Sequence, residues 1–234
     1  NNMTNNINIK KKHNRIHTLL FDLDNTLYPL SCGLTEILTQ RISKYMVDKL
    51  NVPEDKVDEI RIGYYNKYGL TLNGLIVNHN VDVQEYLREV YGGVEIEGVV
   101  PRDEKLGQVL RSIDPSIKKL IFSNADIAHC RRILKALGVE DCFTDVLEYH
   151  GMLENTKPHP LSYQLALKMA DTTDASGVVF FEDTAVNLEG AKQAGMITVL
   201  VGSSSDQSYI DYCIPTIHDL VTLFPEIIVK DSSS

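Results

Sequence analysis

Short, unbroken apolar runs that stop on acidic, hydroxyl or amide residues recur along this chain. His17-Thr-Leu-Leu-Phe-Asp22 is the first, Lys118-Lys-Leu-Ile-Phe-Ser-Asn124 the second and Gly177-Val-Val-Phe-Phe-Glu-Asp183 the third. A fourth, Met196-Ile-Thr-Val-Leu-Val-Gly202, ends without a polar group of comparable interest. Unbroken rather than alternating hydrophobicity predicts strands buried on both faces of a parallel sheet. Between the runs the apolar period changes to that of a helix. Ile127, Cys130, Ile133, Leu134 and Leu137 share one face, and Gly138 follows as a C-cap. Pro160 to Ala170 and Ala185 to Ala194 read the same way, the second closed by Gly195. Strands alternating with helices of this length predict an α/β fold with a doubly wound parallel sheet. Ligands of such sheets sit beyond the carboxyl ends of the strands, where Asp22, Ser123 and Asp183 fall.

Residues 30–98 break this alternation. Leu34, Ile37, Leu38, Ile42, Met46 and Val47 recur at helical spacing, Pro53 opens a second helix through Tyr65, and Val83 to Tyr91 forms a third. The expected organisation is a disordered lead-in over 1–16, an α/β core over 17–29 and 99–230, and an all-helical insert over 30–98. The polar tail after Val229 is expected to be disordered.

Composition narrows the function. With 234 residues and 43% hydrophobic content the chain can fold as a core plus a smaller insert. No apolar run approaches the length of a bilayer span, and the Asn- and Lys-rich start lacks the apolar segment of a secretory signal. A formal charge of -9 argues against nucleic-acid polymers as partners but leaves small phosphate esters open, since these meet only the field of one pocket. Cys32, Cys130, Cys142 and Cys213 are scattered, without Cys-x-x-Cys pairing or His at metal-ligand spacing. A reduced, cytoplasmic setting with incidental thiols is expected.

The sharpest chemical feature is Phe21-Asp22-Leu23-Asp24-Asn25-Thr26-Leu27, directly after a buried strand. Two carboxylates two residues apart at a strand end can face one site once the chain turns, one attacking while the other handles a proton. An Asp- and Asn-rich turn that merely ends a strand has the same composition.

Asp22-x-Asp24-x-Thr26-Leu27 resembles the first motif of the haloacid dehalogenase-like hydrolase superfamily, and three further motifs of that family appear in order. Ser123 at a strand end matches the second, Lys157 in Thr156-Lys157-Pro158 the third, and Glu182-Asp183 followed by Asn187 the fourth. The resemblance covers His17 to about Ile228 and implies a Rossmann-like core. It implies Asp22 as nucleophile, forming an aspartyl-phosphate, and Asp24 as the group that protonates the leaving oxygen and later activates water. It implies that Thr26, Ser123 and the backbone N–H of Asn124 bind the phosphoryl oxygens and that Lys157 neutralises charge. Mg²⁺ is implied on Asp22, the carbonyl of Asp24, Asp183 and Glu182, with Asn187 bracing the site. Within the family, phosphatases use the second aspartate and the metal, whereas dehalogenases need neither. The resemblance therefore favours phosphate chemistry.

An insert after the first motif is that family's cap position, which favours a small-molecule phosphate ester over a phosphoprotein; no membrane partner is expected. Asp22-Leu-Asp-Asn-Thr-Leu-Tyr-Pro29 with Tyr68-Gly-Leu-Thr-Leu-Asn-Gly74 is similar to the pyrimidine 5′-nucleotidase branch and implies a nucleoside 5′-monophosphate. Tyr68, Gly69, Thr71 and Gly74 are then candidates for contacting base or sugar; a plain helix–helix connection accounts for the same glycines. A sugar-phosphate phosphatase or phosphomutase of the same fold, and a non-catalytic module binding a phosphorylated ligand, are the rival readings. Tyr64, Tyr65 and Tyr68 could stack on a base, though tyrosines at helical spacing commonly pack on a neighbouring helix. His129, His150 and His159 are assigned no catalytic role.

Overall fold

The computed structural model describes residues 15–153 and 155–229. Six parallel strands form one sheet: β1 (Thr18–Phe21), β2 (Lys118–Phe122), β3 (Asp145–Leu147), β4 (Val178–Glu182), β5 (Ile197–Val201) and β6 (Tyr212–Ile214). Their order is β3-β2-β1-β4-β5-β6, so β1 lies at the centre and the chain winds outward on both sides of it. All four residues of β1 and all five of β4 and of β5 are buried, as unbroken apolar runs require.

Successive residues of these strands feed opposite layers, because side chains alternate across a pleated strand. Leu19, Phe21, Val179 and Phe181 pack with Cys130, Ile133, Leu134 and Leu137 of one helix and Leu106 and Leu110 of another. These are α7 (Ile127–Leu137) and α6 (Glu104–Ser112). On the other face Leu20, Phe122, Val178 and Phe180 pack with Tyr163 and Ala166 of α8 (Pro160–Met169) and with Leu188 and Ala191 of α9 (Ala185–Gln193). Stacked Phe21 and Phe181 join the two central strands.

Between β1 and α6 lies the helical insert: α1 (Leu34–Leu50), α2 (Val57–Tyr68), α3 (Thr71–His79), α4 (Val83–Tyr91) and the single-turn α5 (Ile96–Val99). The insert has its own apolar centre of Tyr45, Met46, Val57, Leu72, Leu75, Tyr86 and Val90, joined by Tyr149 from the core. Its ends belong to the sheet layer, since Leu34, Val94 and Ile96 pack in the same cluster as α6 and α7.

Several elements differ from the sequence expectation. The second insert helix begins at Val57 after a 3₁₀ turn at Glu54–Lys56 and runs to Tyr68. Thr71 to Gly74 stand in α3 rather than in a loop. The short edge strands β3 and β6 carry too little pattern for the sequence to announce them, whereas α6, with Leu106, Val109 and Leu110 at helical spacing, is readable there but not among the expected helices. Most of the expected lead-in over 1–16, and the tail from 230, lie outside the described residues; Ile16 is already buried in the core. Among the described residues no helix is long and apolar enough to cross a membrane, and all four cysteines are free.

Candidate active site

The parallel register sets Phe21 beside both Ile121 and Phe181. One residue further on, Asp22 leaves β1 at the level where β4 ends in Glu182, and its N–H still donates to the Phe181 carbonyl at 2.9 Å. The sheet therefore fixes the backbone of both acids before any side chain makes a contact.

Lys157 arrives from the loop before α8. Its side chain is 1% exposed, and Nζ donates to Asp22 Oδ1, Glu182 Oε2 and the Phe122 carbonyl, each at 2.8 Å. The ammonium also stands over the Phe122 and Phe180 rings, at 5.0 and 5.1 Å from their centroids. Burial pulls the ammonium towards neutrality, but the two carboxylates outweigh it and hold Lys157 protonated well beyond the usual lysine range. Asn124 aims the loop that carries it: its Oδ1 accepts from the Lys157 N–H at 2.9 Å and its Nδ2 donates to the Lys157 carbonyl at 3.0 Å. The Asn124 side chain thus serves Lys157.

Asp22, Glu182 and Asp183 each offer a carboxylate oxygen, and these oxygens lie within 4.8 Å of one another. Burial, then the charge of Glu182, pushes Asp22 up to about 7 against the pull of Lys157. Glu182 is likewise pushed up to about 7, by burial and then by Asp183. Asp183 rises to about 6 through burial and Asp22. Three acids with one ammonium among them hold more negative charge than the site neutralises, and their donor atoms are all hard oxygens. That set fits Mg²⁺. Glu182 is braced by Asn187 of α9, whose Nδ2 donates to Oε2 at 3.1 Å, while the Thr184 N–H donates to Oε1 at 3.1 Å.

Thr26 turns its hydroxyl onto Asp22, donating to Oδ2 at 2.9 Å. Ser123, 1% exposed at the end of β2, accepts the Ala125 N–H at 3.1 Å through Oγ.

Asp24 lies apart from the acidic cluster. Its Oδ1 accepts from the Tyr28 hydroxyl at 2.5 Å and pairs with His129 Nε2 at 2.8 Å. Burial alone would raise its pKa, but His129 and then Tyr28 reverse the shift and hold the carboxyl below its ordinary range. The carboxylate is not among the three whose oxygens cluster within 4.8 Å. His129, to which the sequence assigned no catalytic role, is the partner that the structure sets against Asp24. It stands in the first turn of α7, where Asp126 accepts the N–H groups of Ala128 and His129 as N-cap. Its place in a helix that opens beside Ser123, at the sheet edge where β1 also ends, is the signal that could have found it. His159, by contrast, is exposed and caps α8.

The insert meets the core at the Lys157 loop. Gly69 has φ +75°, and a Cβ there would stand 2.8 Å from the Lys157 carbonyl oxygen, so only glycine lets the α2–α3 connection seat this closely. Asn73 Nδ2 donates to Thr156 Oγ1 at 2.9 Å. Thr71 is buried, with its hydroxyl 3.4 Å from the Arg61 carbonyl, and a Cβ on Gly74 would fall 2.4 Å from the Tyr64 Cβ. These two residues are occupied with packing α3 on α2. Tyr68 meets Asn78 and the edge of the Tyr64 ring. Of the insert's tyrosines, Tyr65 lies close enough to Glu182, Asp183 and Lys157 for their charges to act on its hydroxyl.

A family profile described as haloacid dehalogenase-like hydrolase matches residues 16–195. Phosphate metabolism protein 8 of Saccharomyces cerevisiae is 28% identical over 189 residues, taking in 75% of this chain and 58% of the yeast protein, so the chain spans less than two thirds of that relative's length. Among solved structures, a HAD phosphatase from Thermococcus onnurineus is similar at TM-score 0.59 and 19% identity, over 92% of this chain and all of the other. A magnesium-bound HAD hydrolase from Bacillus subtilis gives 0.60 at 15% identity, over 90% of this chain and 99% of the other. L-2-haloacid dehalogenase from Xanthobacter autotrophicus gives 0.58 at 17% identity, over 90% and 98%. At these identities the likeness is one of fold.

Proposed function

Because this chain belongs to the haloacid dehalogenase-like hydrolase family, we propose that it is a Mg²⁺-dependent phosphatase that opens a small phosphate monoester by attack of Asp22. The observation that carries this reading is the separation of duties between the two aspartates. Asp22 sits in the acidic cluster beside the buried Lys157, while Asp24 stands outside that cluster and is held by His129 and Tyr28. Carbon–halogen cleavage has no use for a second, separately held carboxyl group, whereas an alkoxide leaving group has.

Asp22, Asp183, Glu182 and the Asp24 carbonyl would hold the metal, which supplies positive charge against the phosphoryl oxygens. Repulsion between a carboxylate and a phosphate dianion is the main obstacle to attack, and fixed positive charge at close range lowers it. Lys157 supplies such charge from the protein itself, buried so that water does not screen it. Asp22 attacks phosphorus while Asp24, having taken up a proton from the substrate's phosphate monoanion, gives it to the departing oxygen, leaving an aspartyl-phosphate on Asp22. Asp24 then takes a proton from the water that attacks the phosphorus and frees Asp22. Thr26, Ser123 and the Asn124 N–H are assigned to the phosphoryl oxygens, the first two by redirecting hydroxyls now used within the protein.

Residues 30–98 act as a cap over this site, seated through Gly69 and Asn73 on the Lys157 loop. Tyr65 lies within the field of the acids, and Tyr68 and Gly69 flank the same junction. A nucleoside 5′-monophosphate is the proposed substrate, on the likeness of the first motif and the Tyr68–Gly74 segment to the pyrimidine 5′-nucleotidase branch; the yeast relative's name places that protein in phosphate metabolism. The proposed setting is the cytoplasm. The test is hydrolysis of a panel of nucleoside monophosphates and sugar phosphates with Mg²⁺, in the presence and absence of EDTA. Turnover of nucleotides that EDTA abolishes supports the proposal; turnover of sugar phosphates alone removes the nucleotide, and equal rates with EDTA remove the metal.

A further inference from the structure

His129 is 2% exposed, yet it makes one side-chain hydrogen bond, from Nε2 to Asp24 Oδ1; its Nδ1 is buried without a partner. An unpartnered buried polar atom costs on the order of 1–3 kcal/mol, so an apolar side chain would suit this position better if packing were its only duty. The Tyr91 ring, edge-on at 5.1 Å between centroids, supplies such packing and offers Nδ1 nothing. The bond to Asp24 is the polar contact that the buried imidazole provides.

That bond shares its acceptor. Tyr28, four residues after Asp24, donates its hydroxyl to the same oxygen, Oδ1. A carboxylate has only acceptors, so Nε2 must carry the hydrogen in its bond to an ionised Asp24. Two donors on one oxygen leave Oδ2 as the oxygen that can bear a proton and face a substrate. They also fix the plane of the carboxyl group, one from the turn after β1 and the other from α7, so neither element alone can swing it.

We propose that His129 and Tyr28 are positioning residues that hold Asp24 by Oδ1 and so present Oδ2 to the leaving oxygen of the substrate. This deepens the phosphatase reading and rests on it. His129 supplies a donor at a fixed point and need not give up its own proton. The proton arrives with the substrate, bound as the phosphate monoester monoanion, and passes to Asp24 Oδ2; that Oδ2–H bond then breaks as the bond from hydrogen to the leaving oxygen forms, and the Oδ1 hydrogen bonds stay in place throughout.

The consequence is a dependence on the leaving group. An alkoxide needs its proton as the P–O bond breaks, whereas 4-nitrophenolate departs without one. The experiment measures kcat/KM, which covers the steps through release of the alcohol, for an alkyl phosphate and for 4-nitrophenyl phosphate. His129→Leu, His129→Gln, Tyr28→Phe and Asp24→Asn are compared with the unaltered chain. His129→Leu and Tyr28→Phe are expected to lose at least tenfold more on the alkyl ester than on the aryl ester. His129→Gln, whose amide N–H can reach where Nε2–H does, is expected to recover most of that difference. If His129→Leu fails to fold, Tyr28→Phe and the comparison of His129→Gln with the unaltered chain decide the matter. Equal losses on both esters in the His129 and Tyr28 variants, with Asp24→Asn still selective, would overturn the positioning role. An Asp24→Asn variant that is itself unselective would instead overturn the phosphatase reading beneath it.

Discussion

Lys157 Nζ and Asp22 Oδ1, 135 residues apart in the chain, meet at 2.8 Å inside the protein with the lysine side chain 1% exposed. A buried ammonium survives only where its partners are close and complete, and here the second carboxylate of Glu182 and the Phe122 carbonyl finish the set. Removing one member strands the others. Lys157→Met is expected to lower stability by about 3–5 kcal/mol, as breaking a buried pair does. It is also expected to cut kcat/KM by roughly 10²–10³-fold, the scale for losing one preorganised charge. Chemical denaturation at pH 8 and at pH 5.5 checks the first part. The deficit should shrink at the lower pH, where Asp22 and Glu182 can take up protons.

The acidic cluster gives stability a pH dependence of definite sign. Asp22 and Asp183 ordinarily titrate near 3.8 and Glu182 near 4.5, but in the fold they are pushed up to about 7, 6 and 7. Between about pH 4 and 7 the folded chain therefore holds more protons at these positions than the unfolded chain. Their contribution is complete below the unfolded values and is lost as pH rises through the folded ones. Without metal, the melting temperature is expected to fall from pH 5 to pH 8 on their account. Mg²⁺ should oppose that fall: at one fixed concentration it adds more at pH 8 than at pH 5.5, reaching about 2.7 kcal/mol where it is a hundredfold above its Kd. Thermal melts with and without Mg²⁺, with Asp183→Asn as control, make the comparison; a Mg²⁺ increment that is the same at both pH values, or that survives in Asp183→Asn, contradicts the assignment.

Asn124 clamps both backbone groups of Lys157. Asn124→Ala is expected to cost about 1–3 kcal/mol, from two hydrogen bonds at the usual net value each. The rate should fall with it, because the ammonium loses its aim. Asn124→Asp keeps the acceptor for the Lys157 N–H and gives up the donor, so it should recover part of the stability. Denaturation curves and steady-state rates on the two variants separate these effects.

Gly74 is held by packing. The first atom a Cβ there would meet is the Cβ of Tyr64, so trimming the tyrosine ring cannot relieve the clash. Gly74→Ala is expected to destabilise by about 1–3 kcal/mol, in line with overpacked sites, and Tyr64→Ala should not rescue it. A double variant that melts above the single one would show that the helices adjust more freely than this geometry allows.

How far the sequence revealed this arrangement depends on the length of each signal. α7 and α4 run over the residues that their apolar periods predict, since each spans several turns with buried residues at Cys130, Ile133 and Leu134 or at Tyr86 and Val90. The meeting of Asp22 with Glu182 and Asp183 was legible because each follows or ends an unbroken apolar run, and parallel register brings such ends to one edge. β3 and β6, three residues each, are shorter than any period they could display. Thr71 and Gly74 read as loop because Gly69 interrupts the helical pattern, whereas the interruption is a left-handed turn after which α3 starts at once. No local spacing pointed to His129, because its partner Asp24 lies 105 residues away; only its place in the helix that opens beside Ser123 could have marked it.

The central claim is that Asp22 becomes phosphorylated during turnover. The protein is mixed with 4-nitrophenyl phosphate and Mg²⁺, quenched in acid within one turnover and treated with borohydride, which reduces an acyl phosphate to the alcohol. Peptide mass spectrometry should then find homoserine at position 22, and nothing of the kind in Asp22→Asn or in protein quenched without substrate. Release of phosphate with an unmodified residue 22, or with the modification on another side chain, would contradict the account.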